Sequence, residues 1–462
     1  GATASGSPPG GGPFVAAFCA TNLGDVSPNI LGPHCRDTGL PCDFDHSTCN
    51  NRTEMCSAVG PGRDMFESTE IIGQRQVDAA VSLFDKTSDI GGGVDFKHAY
   101  VKMPGLAVSD PDTGNPVGNL CSAAMGDAFA AGTIDGPGMF DFTQGANSSN
   151  PFWHWIVDLI HKPTPEEMRC QAPKGILLPT GDISVPYPWG PDTLPVQLLR
   201  LGQLVLIVAP TELTTMAGRR LRAHVRAELV KSGTLSASEG TVVIAGLANG
   251  YADYTTTFEE YQQQRYEGGS TVFGPHQLNA YIQEFKKLAV AMGSNTDAPT
   301  GPPPVDFSDR LSNNTSLDED HLPNGAKAFG DVMVDVQPSY PVGGNAVVSA
   351  TFAGASPLND LHPNSTFAEV QRCTTTSTSS VPCTSWVTVA VDSDWETRVH
   401  ITKSTVDVVY KARVWKVQWY VPASTQAGTY RLVHHGTAFS KSLFKSGKLT
   451  PFVGTSSSFT LE

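Results

Sequence analysis

Phe14-Val15-Ala16-Ala17-Phe18-Cys19-Ala20-Thr21-Asn22-Leu23-Gly24-Asp25-Val26-Ser27-Pro28-Asn29 is the stretch that decides how this chain reads. Phe14 to Phe18 is a continuous apolar run bounded by turn formers, the pattern of a short buried strand. Gly24-Asp25-Val26-Ser27-Pro28-Asn29 is then a strand-exit loop, which sets the Ser27 hydroxyl at the rim of a sheet, where α/β enzymes build sites. An Asx/Pro turn whose serine bonds its own backbone fits the same residues. The run is not a Gly-x-Ser-x-Gly elbow, so no Ser-His-Asp triad is expected.

Outward from that loop, residues 13–293 alternate helix-like and strand-like segments. Met65–Lys86 carries an apolar stripe of Ile71, Ile72, Val77, Ala80, Val81 and Phe84. Phe152–His161 reads as a short aromatic helix that includes His154 and His161. Gln203–Val208 and Thr241–Leu247 read as strands, and Leu278–Met292 as an amphipathic helix. This interleaving predicts an α+β (mixed α/β) domain. Pro299, Pro302, Pro303 and Pro304 then open an aperiodic stretch. Beyond it the period becomes two: Trp415, Val417, Trp419 and Val421 alternate with Lys416, Gln418 and Tyr420. Ala427-Gly428-Thr429-Tyr430-Arg431-Leu432 is similar to a tyrosine corner. The expected order is a flexible segment 1–12, a mixed α/β domain 13–293, a Pro-rich linker 294–328, and an all-β immunoglobulin-like sandwich 329–462.

The 462 residues are 40% hydrophobic and 16% charged, an ordinary globular balance. The net charge of −14 argues against nucleic acid as a partner. No run of 18 apolar residues spans a bilayer. Nine cysteines favour an oxidising compartment. Cys35, Cys42, Cys49 and Cys56 recur every seven residues, too widely for a zinc knuckle, and three pairings of them are open. Cys373 and Cys383 flank a Thr/Ser loop and offer a further bridge, and Cys19 reads as a free core thiol. Sequons at Asn51, Asn147, Asn313, Asn314 and Asn364 favour the secretory pathway: secretion, the extracellular face of the cell surface, or the ER/Golgi lumen.

Three further places carry candidate chemistry. Thr211 reads as the cap of a helix with Glu212 in its first turn, where a carboxylate favours the positive helix end. Asn249-Gly250-Tyr251-Ala252-Asp253-Tyr254 through Arg265-Tyr266 is a Tyr-rich loop after a strand. Asp392-Ser393-Asp394-Trp395-Glu396-Thr397 sets oxygen donors at alternate positions, as hard cations require and as solvated turns also do. None of the twelve histidines forms a zinc motif, and His434 and His435, adjacent on a strand, should face opposite sides.

Asn22-Leu23-Gly24-Asp25-Val26-Ser27-Pro28-Asn29-Ile30-Leu31-Gly32-Pro33-His34-Cys35 resembles the nucleophile segment of neutral ceramidases. Pro210-Thr211-Glu212-Leu213-Thr214-Thr215-Met216-Ala217-Gly218-Arg219-Arg220-Leu221-Arg222 resembles the family's zinc-glutamate segment. It departs at Thr211 and Leu213, where the family usually has Gly and Phe. Phe129-Ala130-Ala131-Gly132-Thr133-Ile134-Asp135-Gly136-Pro137-Gly138 is also similar, with Asp135 a residue that can line a cleft. The resemblance implies Ser27 as nucleophile, Glu212 and Tyr254 as zinc ligands, and Tyr266 as hydrogen-bond donor to the developing oxyanion. It implies Ca²⁺ or Mg²⁺ at Asp392, Asp394 and Thr397. It also implies the bridges Cys35–Cys49, Cys42–Cys56 and Cys121–Cys170.

The implied activity is zinc-dependent cleavage of the amide of N-acylsphingosine (ceramide), at a membrane or micelle surface, to sphingosine and fatty acid. Whether Ser27 attacks or positions zinc-bound water is open. The family's two zinc histidines and a substrate-binding arginine precede the serine segment, so an N-terminal segment of the same enzyme is the expected partner. Two alternatives stand beside this: a zinc amidase of another N-acyl lipid, and a non-catalytic secreted binding protein with an Ig-like sandwich.

Overall fold

The computed structural model describes residues 17–87, 89–138, 140–148, 151–185, 187–309, 319–344, 346–362, 365–375, 383–403, 412–442 and 445–462. They fall into two compact units, Ala17–Arg310 and Leu311–Glu462, each with its own hydrophobic core. Together they are a mixed α/β architecture.

The first unit is built on a four-stranded sheet. Its strands are β1 (Val94–Lys102), β2 (Thr193–Leu201), β3 (Leu204–Val208) and β5 (Thr241–Ala245), in the order β5-β3-β2-β1. β3 pairs antiparallel with β2 and parallel with β5. Val205 and Ile207 of β3 are fully buried, as an apolar central strand requires. Helix α5 (Thr215–Lys231) connects the parallel pair and buries Ala217, Leu221, Val225 and Leu229. Helix α8 (Gln277–Ser294) packs against α5 and buries Ile282, Phe285, Leu288 and Met292. Two short strands extend this frame beyond the carboxyl ends of the parallel pair. They are β4 (Glu212–Leu213) and β6 (Tyr254–Thr255), parallel to each other.

Three expectations change. Ala17 and Phe18 are irregular and exposed, Phe18 to 67%, while Phe14, Val15 and Ala16 lie outside the described residues. Cys19 is free but exposed, not a core thiol. Helix α1 (Met65–Phe84) forms, yet Val77, Val81 and Phe84 of its stripe stay 44–66% exposed. Its periodicity encodes the helix and not the burial of the stripe.

All four bridges are present: Cys35–Cys49, Cys42–Cys56, Cys121–Cys170 and Cys373–Cys383. The first two interlace and staple a segment whose small core is largely the cysteines themselves.

The second unit has two sheets sharing one core. One contains Val332–Val334, Val347–Gly354, Arg413–Tyr420 and Thr397–Lys403; the other is built around Gly428–Ser442. Trp419, Val417, Val348, Tyr430 and Leu432 meet in that core. His434 is fully buried against Trp415 and Phe352, whereas His435 turns outward to Glu369 at 3.0 Å, as strand alternation predicts.

Candidate active site

Glu212 does not begin a helix. It lies on β4, and its helix-capping neighbour is Thr214, whose hydroxyl accepts the Ala217 N–H. Thr211 is occupied elsewhere: its Oγ1 donates to the Asp253 carbonyl at 2.7 Å and lies 2.9 Å from Thr255 Oγ1. A buried hydroxyl must find partners, so Thr211 clamps β4 to β6 and the helix starts three residues later. The clamp puts Glu212 and Tyr254 in register as parallel neighbours, with side chains on one face. Leu213, the other departure from the family pattern, fills the core at 0% exposure.

The Ser27 segment docks on the same strand. The Gly24 N–H donates to the Leu213 carbonyl at 2.9 Å. The Asp25 carboxylate accepts both N–H and O–H of Thr215, at 2.7 and 2.8 Å, at the N-terminus of α5, where the helix dipole favours a negative charge. A Cβ on Gly24 would stand 2.9 Å from the Glu212 carbonyl, and one on Gly218 of α5 would stand 2.3 Å from Cβ of Asn22. Only glycines allow that approach. Ser27 Oγ then donates to Asp135 Oδ2 at 2.9 Å, which gives Asp135 a contact that the sequence reading left unassigned.

A cleft of about 330 Å³ is lined by Ser27, Asp135, Glu212, Tyr254, Arg265 and Glu267, among others. Tyr266, at the start of α7 (Tyr266–Gly269), sets its ring edge-on to Tyr254 with centroids 5.3 Å apart and stacks on Phe129 at 5.9 Å. Thus Ser27, Glu212, Tyr254 and Tyr266, distant in the chain, gather at one place. A second cavity of about 730 Å³, lined by Leu31, Pro33, Phe44 and Cys42, shares Ile134 and Arg265 with the cleft. Arg265 is held by the carbonyls of Phe44 and Asp45 and by Ser47 Oγ.

The electrostatics are dominated by burial and by Glu212. Tyr251 Oη donates to Glu212 Oε1 at 2.6 Å. Burial, and then the bond to Glu212, push the Tyr251 and Tyr254 phenols far above their ordinary range. Burial pushes Tyr266 and Glu267 up as well. Asp253 rises to about 6 by burial, although Lys174 opposes the shift.

The Asp392–Thr397 segment forms a turn in the second unit. Asp392 accepts Thr366 Oγ1 at 2.5 Å and the Phe367 N–H at 2.9 Å, and Asp394 accepts the Val391 N–H at 2.8 Å. Thr397 Oγ1 is buried without a hydrogen-bond partner.

Among the described residues, His161, Glu167 and Asp182 also place one ligand atom each within 4.8 Å of one another. His161 lies beyond the helix Pro151–Asp158, not on it as expected, and faces Glu167 at 3.7 Å. The spacing in sequence gave no sign of this cluster, because Asp182 arrives from a separate loop.

Comparison with known proteins follows the same outline. The family model described as neutral/alkaline non-lysosomal ceramidase, N-terminal, matches residues 2–283, and its C-terminal counterpart matches residues 285–461. Neutral ceramidase 1 of Arabidopsis thaliana is 46% identical over 97% of this chain and 57% of its own length. Neutral ceramidase B of Dictyostelium discoideum is 45% identical over 98% and 61%. A solved structure titled ceramidase complexed with C2 superposes with a TM-score of 0.69 at 33% identity, covering 97% of this chain and 63% of that one. The neutral ceramidase from Pseudomonas aeruginosa gives 0.64 at 31%, covering 92% and 63%. The chain therefore spans about three fifths of the length of these relatives. Both family models fall within it, so the comparisons lend no support to a separate N-terminal partner. The chain belongs to the neutral/alkaline non-lysosomal ceramidase family.

Proposed function

We propose that this chain carries the ceramide-hydrolysing site of a zinc amidohydrolase, with Glu212 and Tyr254 as two ligands of the ion. The observation that carries the reading is the carboxylate–phenol pair, in register on neighbouring strands and lining one cleft with Ser27. The donor set suits a divalent cation: two oxygen donors lie side by side in a half-enclosed cleft, and the phenols that crowd Glu212 are raised in a way that a nearby positive charge reverses. Two protein ligands are fewer than the three usual in catalytic zinc sites. When bound, the ion supplies Lewis-acid polarisation of the scissile carbonyl.

The chain's own groups do the rest. Ser27 Oγ donates to Asp135 and accepts the Asn29 N–H at 3.2 Å, two bonds that fix the hydroxyl at the rim of the cleft, with one lone pair left for substrate. Tyr266 offers an O–H to charge developing on the carbonyl oxygen. The apolar cavity beside Ile134 accepts a hydrocarbon tail, so binding energy remote from the amide can be applied at the reacting atoms.

In the second unit, Asp392, Asp394 and Thr397 are assigned to a structural Ca²⁺ or Mg²⁺, supported by the orphaned Thr397 hydroxyl. The same unit is assigned to the immunoglobulin-like sandwiches. Its Tyr430 Oη donates to the Gln426 carbonyl at 2.7 Å, four residues upstream, as in a tyrosine corner. Secretion is favoured by four disulfides and by exposed sequons at Asn51 and Asn147. Asn313, Asn314 and Asn364 lie outside the described residues.

The test joins metal and substrate. Zinc titration of this chain should perturb tyrosine ultraviolet absorption, and Glu212→Gln should abolish the response. In an enzyme completed to the relatives' length, Ser27→Ala should lower ceramide turnover by at least ~10²-fold with the fold intact. Zinc binding unaffected by Glu212→Gln, or near-normal turnover without Ser27, would refute the assignment.

A further inference from the structure

Tyr251 is not among the residues that line the Ser27 cleft, yet its Oη donates to Glu212 Oε1 at 2.6 Å. Its backbone leaves it little freedom to do otherwise. The Ala248 N–H donates to Ala209 O at 3.1 Å, the Ala252 N–H to Pro210 O at 2.8 Å, and the Glu212 N–H to Asp253 O at 2.9 Å. Asn249 and Asp253 both adopt left-handed conformations, with φ of 62° and 51°, so the segment doubles back with Tyr251 near its apex. Ala252 beside it is fully buried. The loop is thus laced along the chain that leads into Glu212, and it delivers one phenol to one carboxylate oxygen.

Two tyrosines address Glu212, and their positions differ. Tyr254 is the in-register strand neighbour and lines the cleft with Ser27. Tyr251 approaches from the loop. A carboxylate on a three-bond stem rotates freely unless one oxygen is tied, and ligands of metal ions are commonly oriented by such a partner. The geometry points to Tyr251 as a positioning residue for the metal ion: it ties Glu212 Oε1 and leaves the other oxygen, together with the Tyr254 phenol, to hold the cation. This inference rests on the assignment of Glu212 and Tyr254 as ligands.

The experiment titrates the 462-residue chain and three variants with Zn²⁺ alone, following tyrosine ultraviolet difference absorption. Tyr251→Phe should weaken zinc binding roughly 10- to 100-fold. It should keep the full spectral amplitude at saturation and the thermal midpoint of the zinc-free protein. Tyr254→Phe should lose the spectral response, and Glu212→Gln should lose binding. If Tyr251→Phe binds zinc as well as the parent or more tightly, the phenol does not position the carboxylate and the inference is overturned. If Tyr251→Phe loses the amplitude while Tyr254→Phe keeps it, Tyr251 is itself a ligand, which also overturns it. If Tyr254→Phe and Glu212→Gln both behave as the parent, or the parent binds no zinc, the ligand assignment fails and the inference falls with it.

Discussion

Lys174 shows how much a single enclosed charge can organise. Its amine is fully buried, donates to the carbonyls of Ala124 and Thr271 at 3.0 and 2.6 Å, and lies 5.1 Å over the Tyr261 ring. Burial pulls its pKa down to about 7, against the field of Asp253. Lys174→Met keeps the length of the side chain and orphans two buried carbonyls, each worth about 1–3 kcal/mol. A loss of roughly 2–4 kcal/mol in urea denaturation is expected; an unchanged midpoint would contradict the satisfaction argument. His434 makes the complementary case. Enclosure by aromatic rings pulls it from 6.5 to about 4. The unfolded chain therefore takes up a proton between those values while the native state does not. Stability from this group is complete above about pH 6.5 and is lost as pH falls toward 4, by up to about 3 kcal/mol. His434→Leu should flatten the decline of the thermal midpoint across that window, and an equally steep decline in the variant would place its origin elsewhere. Strand alternation sets His434 and His435 on opposite faces, but neither the completeness of His434's enclosure nor the burial of Lys174 is legible in the sequence, because distant segments bring both about.

At the scale of elements, the approach of the Ser27 segment to α5 yields a prediction of unusual sign. Replacing a helical glycine by alanine ordinarily gains about 1 kcal/mol. At Gly218 the added methyl would meet Asn22 Cβ at 2.3 Å, and overpacking costs about 1–3 kcal/mol. Gly218→Ala should lower the thermal midpoint and speed hydrogen exchange at the Gly24 amide, which is bonded to Leu213; a more stable variant would show that the segment does not depend on this contact. The same region separates what is legible from what is not. The strands Leu204–Val208 and Thr241–Ala245 and the helix Gln277–Ser294 follow from local periodicity, because their apolar faces repeat at the period of the element. The cysteine pairing came through family likeness, since spacing alone allowed three connectivities. The helix start was misread at Thr211 because two threonines, Thr211 and Thr214, offer equal capping chemistry. Only the tertiary partner Asp253 O, 42 residues away, decides between them. Of the expected Phe14–Phe18 strand only Ala17 and Phe18 are described, and both are irregular and exposed, so at these two positions apolar composition did not amount to a buried strand. The gathering of Glu212 with Tyr254 was legible only by resemblance, and the bonds from Tyr251 and to Asp135 not at all, since each joins loops whose approach is set by the sheet.

At the scale of the whole molecule, each unit has its own core, and each is assigned a cation of different chemistry. That division makes the second cation testable without activity. Thr397 is 6% exposed and its hydroxyl lacks a partner. A buried hydroxyl left unpaired costs stability, and replacing it by an apolar group of the same shape is neutral or stabilising. In chelator, Thr397→Val should therefore melt at the same temperature as the parent or slightly higher. With Ca²⁺ at 100 times its dissociation constant, a site that binds only the native state adds about 2.7 kcal/mol. For a unit of this size that corresponds to a rise of roughly 5–10 °C. The parent should gain it and Thr397→Val should lose most of it, so the order of the two proteins inverts between chelator and calcium. Asp392 is the wrong residue for this test: its carboxylate also holds Thr366 and Phe367, and removing it would destabilise the turn in either condition. An equal response of parent and Thr397→Val to calcium, measured by calorimetry on the full chain, would withdraw the hydroxyl from the ligand set and leave the turn a hydrogen-bonded corner.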